Sequence, residues 1–286
     1  MELYILQAMM GALMFGIGAM MFKWNAHYHG DDNYFFSALY SVGGICFIIN
    51  GYDGYTPLSL SYYISGALIG LGSAGGNYFF VQGLRHGPAG LTSAFAKSNI
   101  VIVILISALY YGEALAVNEI IGIAAILVAM IVVNLRLGSG GKSTSTVWFI
   151  LMIASMILIA FRNGGLKIVN EISLTSSLVM ALAYFLCTIF FSAGMLKNKN
   201  KPWVSNASKL KVLSMGGLTG VASFTGLSYY IKALETGPAS VVVTIFSLDM
   251  IFVLIMSYIL FKERLNRNQM IGFILSAAGF LLISLK

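Results

Sequence analysis

Two ionisable side chains, Asp249 and Lys97, lie inside long apolar segments of this sequence. Charged groups at such positions are costly in lipid, and they usually face a cavity or pair with one another. Asp249 stands near the middle of its segment, where a carboxylate can bind a cationic group or take up a proton. We expect Lys97 to pair with it. The competing interpretations are a hydrogen bond that only fixes packing for Asp249 and an extension toward the membrane surface for Lys97.

Three further polar residues are candidates for the same site. Asn99 follows Lys97 by two positions, and Arg162 and Asn163 lie in the last third of another apolar segment. A guanidinium group at that depth can contact an anionic ligand, although extension to the membrane surface explains it equally well. We therefore include Asn99, Arg162 and Asn163 among the candidate binding residues.

Tyrosines form the third group of candidates. Tyr78 lies in one apolar segment, and Tyr229 and Tyr230 lie in another. An aromatic ring that faces a cavity can hold an amine through a cation–π contact. Aromatic side chains at the lipid surface are the commoner alternative, and both interpretations stay open here.

Other motifs point to no cofactor and no metal. The run Gly141–Ser143 resembles the end of a phosphate-binding loop, but Arg136 stands where that motif needs its first glycine. His27 and His29, followed by Asp31 and Asp32, have metal-ligand types, and a solvated polar loop explains them better. The predicted spans contain no histidine, and no paired carboxylates or nucleophile–base pair are apparent in them, so we predict no catalytic residue and no enzyme.

The composition indicates a membrane protein. Hydrophobic residues make up 58% of the chain and charged residues 9%, whereas soluble domains carry about a quarter charged residues. Each spanning helix needs about 20 apolar residues. Apolar runs predict spans at about 3–22, 34–50, 61–84, 89–111, 117–136, 147–168, 173–195, 210–231, 238–261 and 267–285.

The chain contains an internal repeat. Gly87-Pro88-Ala89 recurs as Gly237-Pro238-Ala239, and at the same offset Glu113 aligns with Glu263 and Asn99 with Asp249. Each half holds five spans, an odd number, so the halves must cross the membrane in opposite senses. The prediction is an all-α integral membrane protein of ten transmembrane helices, built as an inverted repeat of two five-helix halves. The first repeat covers residues 1–138 and the second 147–286, with a linker at 139–146.

These repeated motifs resemble the drug/metabolite transporter superfamily, specifically its ten-helix EamA-like members. The resemblance covers nearly the whole chain, through Gly87-Pro88-Ala89 with Gly112-Glu113-Ala114-Leu115 and their second copies. It implies a central cavity lined by helices one, three, four, six, eight and nine. Family members often carry a proline in the ninth span, where this chain has Asp249-Met250, and the fourth span has Asn99-Ile100. Because this chain lacks the proline, we expect its fourth and ninth helices to be straighter.

The sequence therefore favours a secondary transporter that moves a small polar or amphipathic organic molecule, such as an amino acid, an amine or a drug-like compound, by alternating access. Transport is either proton-coupled or simple facilitation. The alternative is a non-transporting membrane subunit or a lipid-translocation accessory protein. Expected partners are the substrate, membrane lipid and, if transport is coupled, protons. We expect no nucleic-acid partner, and we expect the protein to be a monomer.

The expected location is the cell's plasma or inner membrane. Most lysine and arginine residues follow odd-numbered spans, which places those loops in the cytoplasm and both termini outside. The family resemblance implies the opposite orientation, with both termini inside. The sequence leaves this conflict open.

Overall fold

Ten helices make up the regular structure of the residues that the computed structural model describes: 3–51, 59–99, 101–102, 116–134, 145–200, 202–236, 245–246 and 249–284. These ranges contain no strand. The helices are α1 Leu3–His27, α2 Asp32–Gly51, α3 Leu60–His86, α4 Ala89–Lys97, α5 Val117–Asn134, α6 Thr146–Glu171, α7 Ser176–Lys197, α8 Lys209–Thr236, α9 Asp249–Phe261 and α10 Arg267–Ser284. Residues 139–144 of the predicted linker and the second Gly-Pro-Ala motif lie outside the described residues, and α6 begins at Thr146, the last residue of that predicted linker.

Six of these helices are long and apolar enough to cross a membrane: α1, α2, α3, α6, α7 and α8. Shorter apolar stretches occur in α5, α9 and α10. The distribution of side chains is that of a protein surrounded by lipid. The apolar residues Ile49, Leu71 and Phe190 are exposed, while the charged residues Arg162 and Asp249 are buried. In lipid, apolar side chains cost nothing on the outside and ionisable ones are placed inside.

Helix α2 packs along α7 in the antiparallel direction. Phe36 near the start of α2 stacks on Phe191 near the end of α7, and Asn50 at the other end of α2 hydrogen-bonds Ser177. Helices α1 and α8 also run antiparallel, since a Cβ on Gly11 would approach Gly226 and one on Gly18 would approach Thr219.

Helices α3 and α6 form an equivalent antiparallel pair. A Cβ on Gly72 would meet Arg162, and one on Gly83, near the other end of α3, would meet Met152. Glycine at these positions lets the two backbones approach closely, the usual device in membrane helices. Helices α5 and α10 pair with each other at one side of the bundle, as α4 and α9 do in its interior.

One end of the bundle collects most of the basic loops, and we call it the basic end. It comprises the turns at residues 27–32 and 86–89, the segment 197–209 and the segment 261–267. Lys197, Lys199, Lys209, Lys262 and Arg264 lie there. Helices α1, α3, α7 and α9 end at the basic end, and α2, α4, α8 and α10 begin there.

Candidate functional site

An ion pair between Lys97 and Asp249 lies inside the bundle. The Lys97 Nζ is 2.9 Å from Asp249 Oδ2, the Asp249 side chain is 4% exposed and that of Lys97 is 18% exposed. Lys97 ends the nine-residue α4, which places it about 12 Å along the helix from the basic end. The two residues singled out by sequence are therefore in contact, between the fourth and ninth helices. Their role in binding stays a prediction.

Aromatic rings surround the ammonium group of this pair. Lys97 Nζ lies 5.2 Å from the ring centre of Phe15 and 4.6 Å from that of Phe246. Phe246 in turn packs against Tyr230, with ring centres 4.5 Å apart. Phe15 is the middle residue of α1, so the pair lies near the middle of the bundle. Cation–π contacts of this kind stabilise a desolvated ammonium group by about 2 kcal/mol.

A chain of polar side chains lies next to the pair. Asn163 Nδ2 donates to Asn99 Oδ1 at 2.9 Å, and Arg162 Nε donates to Asn163 Oδ1 at 3.1 Å. Asn99, two positions after Lys97, connects this chain to α4. We call Lys97, Asn99, Arg162, Asn163 and Asp249 the central cluster.

The fourth helix differs from the straight helix expected from its lack of proline. Helix α4 ends at Lys97, with Ser98 as its C-cap. The Asn99 side chain donates from Nδ2 to the Ala96 carbonyl at 2.6 Å. Asparagine competes in this way with the backbone for hydrogen bonds, and here the side-chain amide binds a carbonyl of the last turn of α4.

Arg162 is buried, at 8% exposure. The hydroxyl groups of Tyr40, Tyr184 and Tyr230 lie near enough to interact electrostatically with its guanidinium group. The Tyr40 hydroxyl donates to the Ser73 carbonyl at 2.9 Å, which fixes its ring beside the arginine.

Several buried polar atoms have no hydrogen-bond partner among the described residues. Asp249 uses Oδ2 for Lys97, and its Oδ1 is one of these atoms, as are Gln7 Oε1 on α1 and Ser228 Oγ on α8. Most buried polar atoms in folded proteins are satisfied, so an open carboxylate oxygen in the interior indicates a place for a ligand atom, a proton or water.

Two predicted residues lie away from the central cluster. Tyr78 is exposed and lines a surface pocket of about 330 Å³ at the basic end, together with Asp31 and Arg85. Tyr229 is half-buried, and as the neighbour of Tyr230 on one helix it points about 100° away from it. Of the three tyrosines, Tyr230 is the one that packs at the site.

The repeated glutamate motif has a structural partner at the basic end. Glu263 Oε1 pairs with Lys23 Nζ at 2.5 Å, and its Oε2 accepts a hydrogen bond from the Ala89 backbone N–H at 2.8 Å. Lys23 also donates to the carbonyl of Leu84. These bonds tie α1, α3, α4 and the end of α9 together. The counterpart Glu113 lies outside the described residues.

The second ion pair at this end joins Arg85 to Asp32. Arg85 donates from Nη1 and Nη2 to the two oxygens of Asp32, which also accept from Gln82 and Asn25. Asp31 caps the start of α2 by accepting from the backbone. The described residues hold no group of three or more metal-ligand side chains.

Sequence reasoning missed four aromatic residues that surround the central cluster: Phe15, Tyr40, Tyr184 and Phe246. Phe246 carries a weak signal, because it precedes Asp249 by three positions and so shares its helix face. The others carry none, since an aromatic residue in an apolar span faces lipid as readily as the interior.

Comparison with known families decides the class of protein. The model of the EamA-like transporter family matches residues 2–135 and 146–285. The chain belongs to the EamA-like transporter family. This confirms the resemblance drawn from the Gly-Pro-Ala and glutamate motifs. The protein is a multi-pass membrane protein of a transporter family that is generally non-enzymatic.

Solved structures agree on the fold of this EamA-like chain. One protein of known crystal structure shares 14% identity with it, at a TM-score of 0.65, over 96% of this chain and 95% of the other. That identity supports the fold alone. No curated protein matches the chain in sequence.

Proposed function

We propose that this protein is a secondary transporter that moves a small polar or amphipathic organic molecule across the plasma or inner membrane. The observation that carries the proposal is the buried Lys97–Asp249 pair, in which Asp249 Oδ1 has no partner among the residues that the structure describes. An incompletely bonded carboxylate at mid-bundle depth suits a reversible ligand better than a permanent packing contact. Amino acids, amines and drug-like molecules all contain groups that it can bind.

The architecture behind this function is an inverted repeat of ten transmembrane helices. Its support is the matching of helix pairs: α1 packs on α8 as α6 packs on α3, and α2 packs on α8 as α7 packs on α3. Exchanging the halves turns one pair into the other. The antiparallel contact of α2 with its counterpart α7 fits halves of opposite sense. In such transporters the substrate site lies between the repeats.

Alternating access then requires the two ends of the bundle to open in turn. At the basic end, Lys23 of the first half is paired with Glu263 of the second. Opening at this end has to break that pair, while the Lys97–Asp249 pair binds the substrate between the halves. A proton on Asp249 would release Lys97, which offers a route to proton coupling. Both halves of the site belong to one chain, so a monomer suffices.

Flux through reconstituted protein tests this proposal. Metabolite classes would first be screened for thermal stabilisation of the detergent-purified protein, and stabilising compounds would then be followed as labelled solutes into proteoliposomes. We expect Asp249→Asn to lower uptake by about tenfold or more, because one charge-assisted contact contributes about 1.5–3 kcal/mol.

Asp31→Asn is the matched control. It makes the same chemical change in a carboxylate at the basic end, where asparagine also caps a helix, so uptake should stay near wild type. Equal uptake by wild type and Asp249→Asn would contradict the proposed role of Asp249. The absence of uptake for every stabilising compound would favour a non-transporting membrane subunit.

A further inference from the structure

Arg162 differs from the other charged groups of the central cluster because it has no counter-charge. Lys97 and Asp249 neutralise each other, and among the described residues no carboxylate pairs with Arg162. Among the described residues, its side-chain hydrogen bond goes from Nε to Asn163. In the described part of the chain, neither Nη nitrogen has an acceptor within hydrogen-bond distance. The central cluster therefore carries one uncompensated positive charge.

Such a group is expensive to leave unpaired. Burial of a charge is strongly destabilising unless the charge is paired and hydrogen-bonded. The nearby tyrosines Tyr40, Tyr184 and Tyr230 offer neutral hydroxyl groups, and the hydroxyl of Tyr40 already donates to the Ser73 carbonyl. The described residues thus include a buried arginine, 8% exposed, but no anionic group that pairs with its guanidinium group.

The free edge of the guanidinium group defines what that anion must be. Asn163 occupies the Nε side, and Asn163 is itself held by Asn99. The edge formed by the two Nη nitrogens stays open. This planar fork matches the two oxygens of a carboxylate, which it binds with two parallel hydrogen bonds.

We propose that Arg162 is the anion subsite of the transporter, binding the carboxylate of the transported molecule through its two Nη nitrogens. The inference rests on the proposed transport function and narrows its substrate to carboxylate-bearing molecules. Two sources share this chemistry: simple organic acids, and amino acids. An amino acid would also place its ammonium group on the open Oδ1 of Asp249.

Three molecules that differ by one group test the subsite on the wild-type protein. Leucine carries both charges, isoamylamine lacks the carboxylate and isocaproate lacks the ammonium group. We expect leucine, isocaproate or both to stabilise the purified protein and to compete for uptake, and isoamylamine to be the weakest. Asp249→Asn separates the two sources, because it should weaken leucine binding and should not weaken isocaproate binding.

Variants of the arginine test the residue itself. Arg162→Gln should weaken carboxylate binding by about tenfold to a hundredfold, the value of a charge-assisted hydrogen bond. Arg162→Lys keeps the charge without the fork and should fall between. Lys211→Gln removes the same charge from an exposed position of α8 and should bind as wild type does.

Distinct results would overturn this inference. Isoamylamine binding as well as the two carboxylates, or carboxylates binding equally to wild type and Arg162→Gln, would remove the anion subsite while leaving transport intact. Failure of both carboxylates to stabilise the wild type at millimolar concentration would also count against it. If Arg162→Gln does not fold, the ranking of the three molecules on the wild type still decides.

Discussion

The central cluster and the basic end both join the N-terminal and C-terminal parts of the chain through buried charges, but they use these charges differently. At the basic end, both oxygens of Glu263 are bonded, one to Lys23 and the other to the Ala89 N–H. Asp32 likewise accepts hydrogen bonds on both oxygens. In the centre, Asp249 has one bonded oxygen and one that has no partner in the described part of the chain.

Two arginines show the same contrast. Arg85 directs both Nη nitrogens at Asp32, and its Nε has no partner among the described residues. Arg162 is bonded at Nε, and its two Nη nitrogens are open toward the described residues. At the basic end, the two Nη nitrogens of the arginine are bonded to a carboxylate, whereas in the centre they have no acceptor among the described residues. A filled fork and saturated carboxylates hold helices together, whereas open ones leave hydrogen-bonding capacity for a ligand.

Removing Lys97 should have the largest effect on stability. Lys97→Met leaves Asp249 buried beside apolar rings, which should lower the free energy of unfolding by about 3–5 kcal/mol. The double variant Lys97→Met/Asp249→Asn should recover most of this loss, because no unpaired charge remains. Unfolding by sodium dodecyl sulfate in mixed micelles measures both.

The matched control for that experiment is Lys211→Met, an exposed lysine that should change stability by less than about 0.5 kcal/mol. If Lys97→Met were as mild as this control, the pair would not be a desolvated one, and the contrast between the two regions would lose its energetic basis.

Glu263→Gln should have the next largest effect. Glutamine retains an oxygen for the Ala89 N–H, but Lys23 keeps only carbonyl partners, so we expect a loss of about 2–3 kcal/mol. Unfolding in the same mixed micelles measures this loss, and a loss no larger than that of Lys211→Met would show that the Lys23–Glu263 pair does not hold the two halves together at the basic end.

The sequence predicted much of the scaffold and the neighbourhood of the charged pair. Apolar runs located α3 and α8 to within a few residues at their starts, and these helices then continue past the runs because a helix need not end where the hydrocarbon ends. The repeat aligned Asn99 with Asp249, and this alignment predicted that Lys97 lies near that carboxylate.

Other contacts carried no sequence signal. Arg162 and Asn163 align in the repeat with Ala12 and Leu13, so nothing in the pattern joins them to Asn99. The partner of Glu263, Lys23, lies at the far end of the chain, and the tertiary fold alone brings them together. The repeat likewise identified Glu263 as a residue of the family motif, but it did not indicate which residue pairs with Glu263. Side-chain pairing across helices depends on rotation angles that apolar periodicity does not fix.

The smallest expected effect concerns α2, the helix that links the two regions by carrying Asp32 at the basic end and Tyr40 beside Arg162. Helix α8 holds α2 in place through Gly220, where a Cβ would collide with the carbonyl oxygen of Leu39. Gly220→Ala should therefore cost about 1–2 kcal/mol, because the backbone must shift. At Gly217, the nearest atom is a methyl of Val42 at 3.4 Å, so Gly217→Ala should stay within about 0.5 kcal/mol. The same micelle unfolding assay compares them.

Since the shift moves Tyr40 relative to Arg162, Gly220→Ala should also weaken carboxylate binding while Gly217→Ala does not. Equal binding by both would mean that the open arginine does not depend on α2 for its position, and that the centre is supported independently of the basic end.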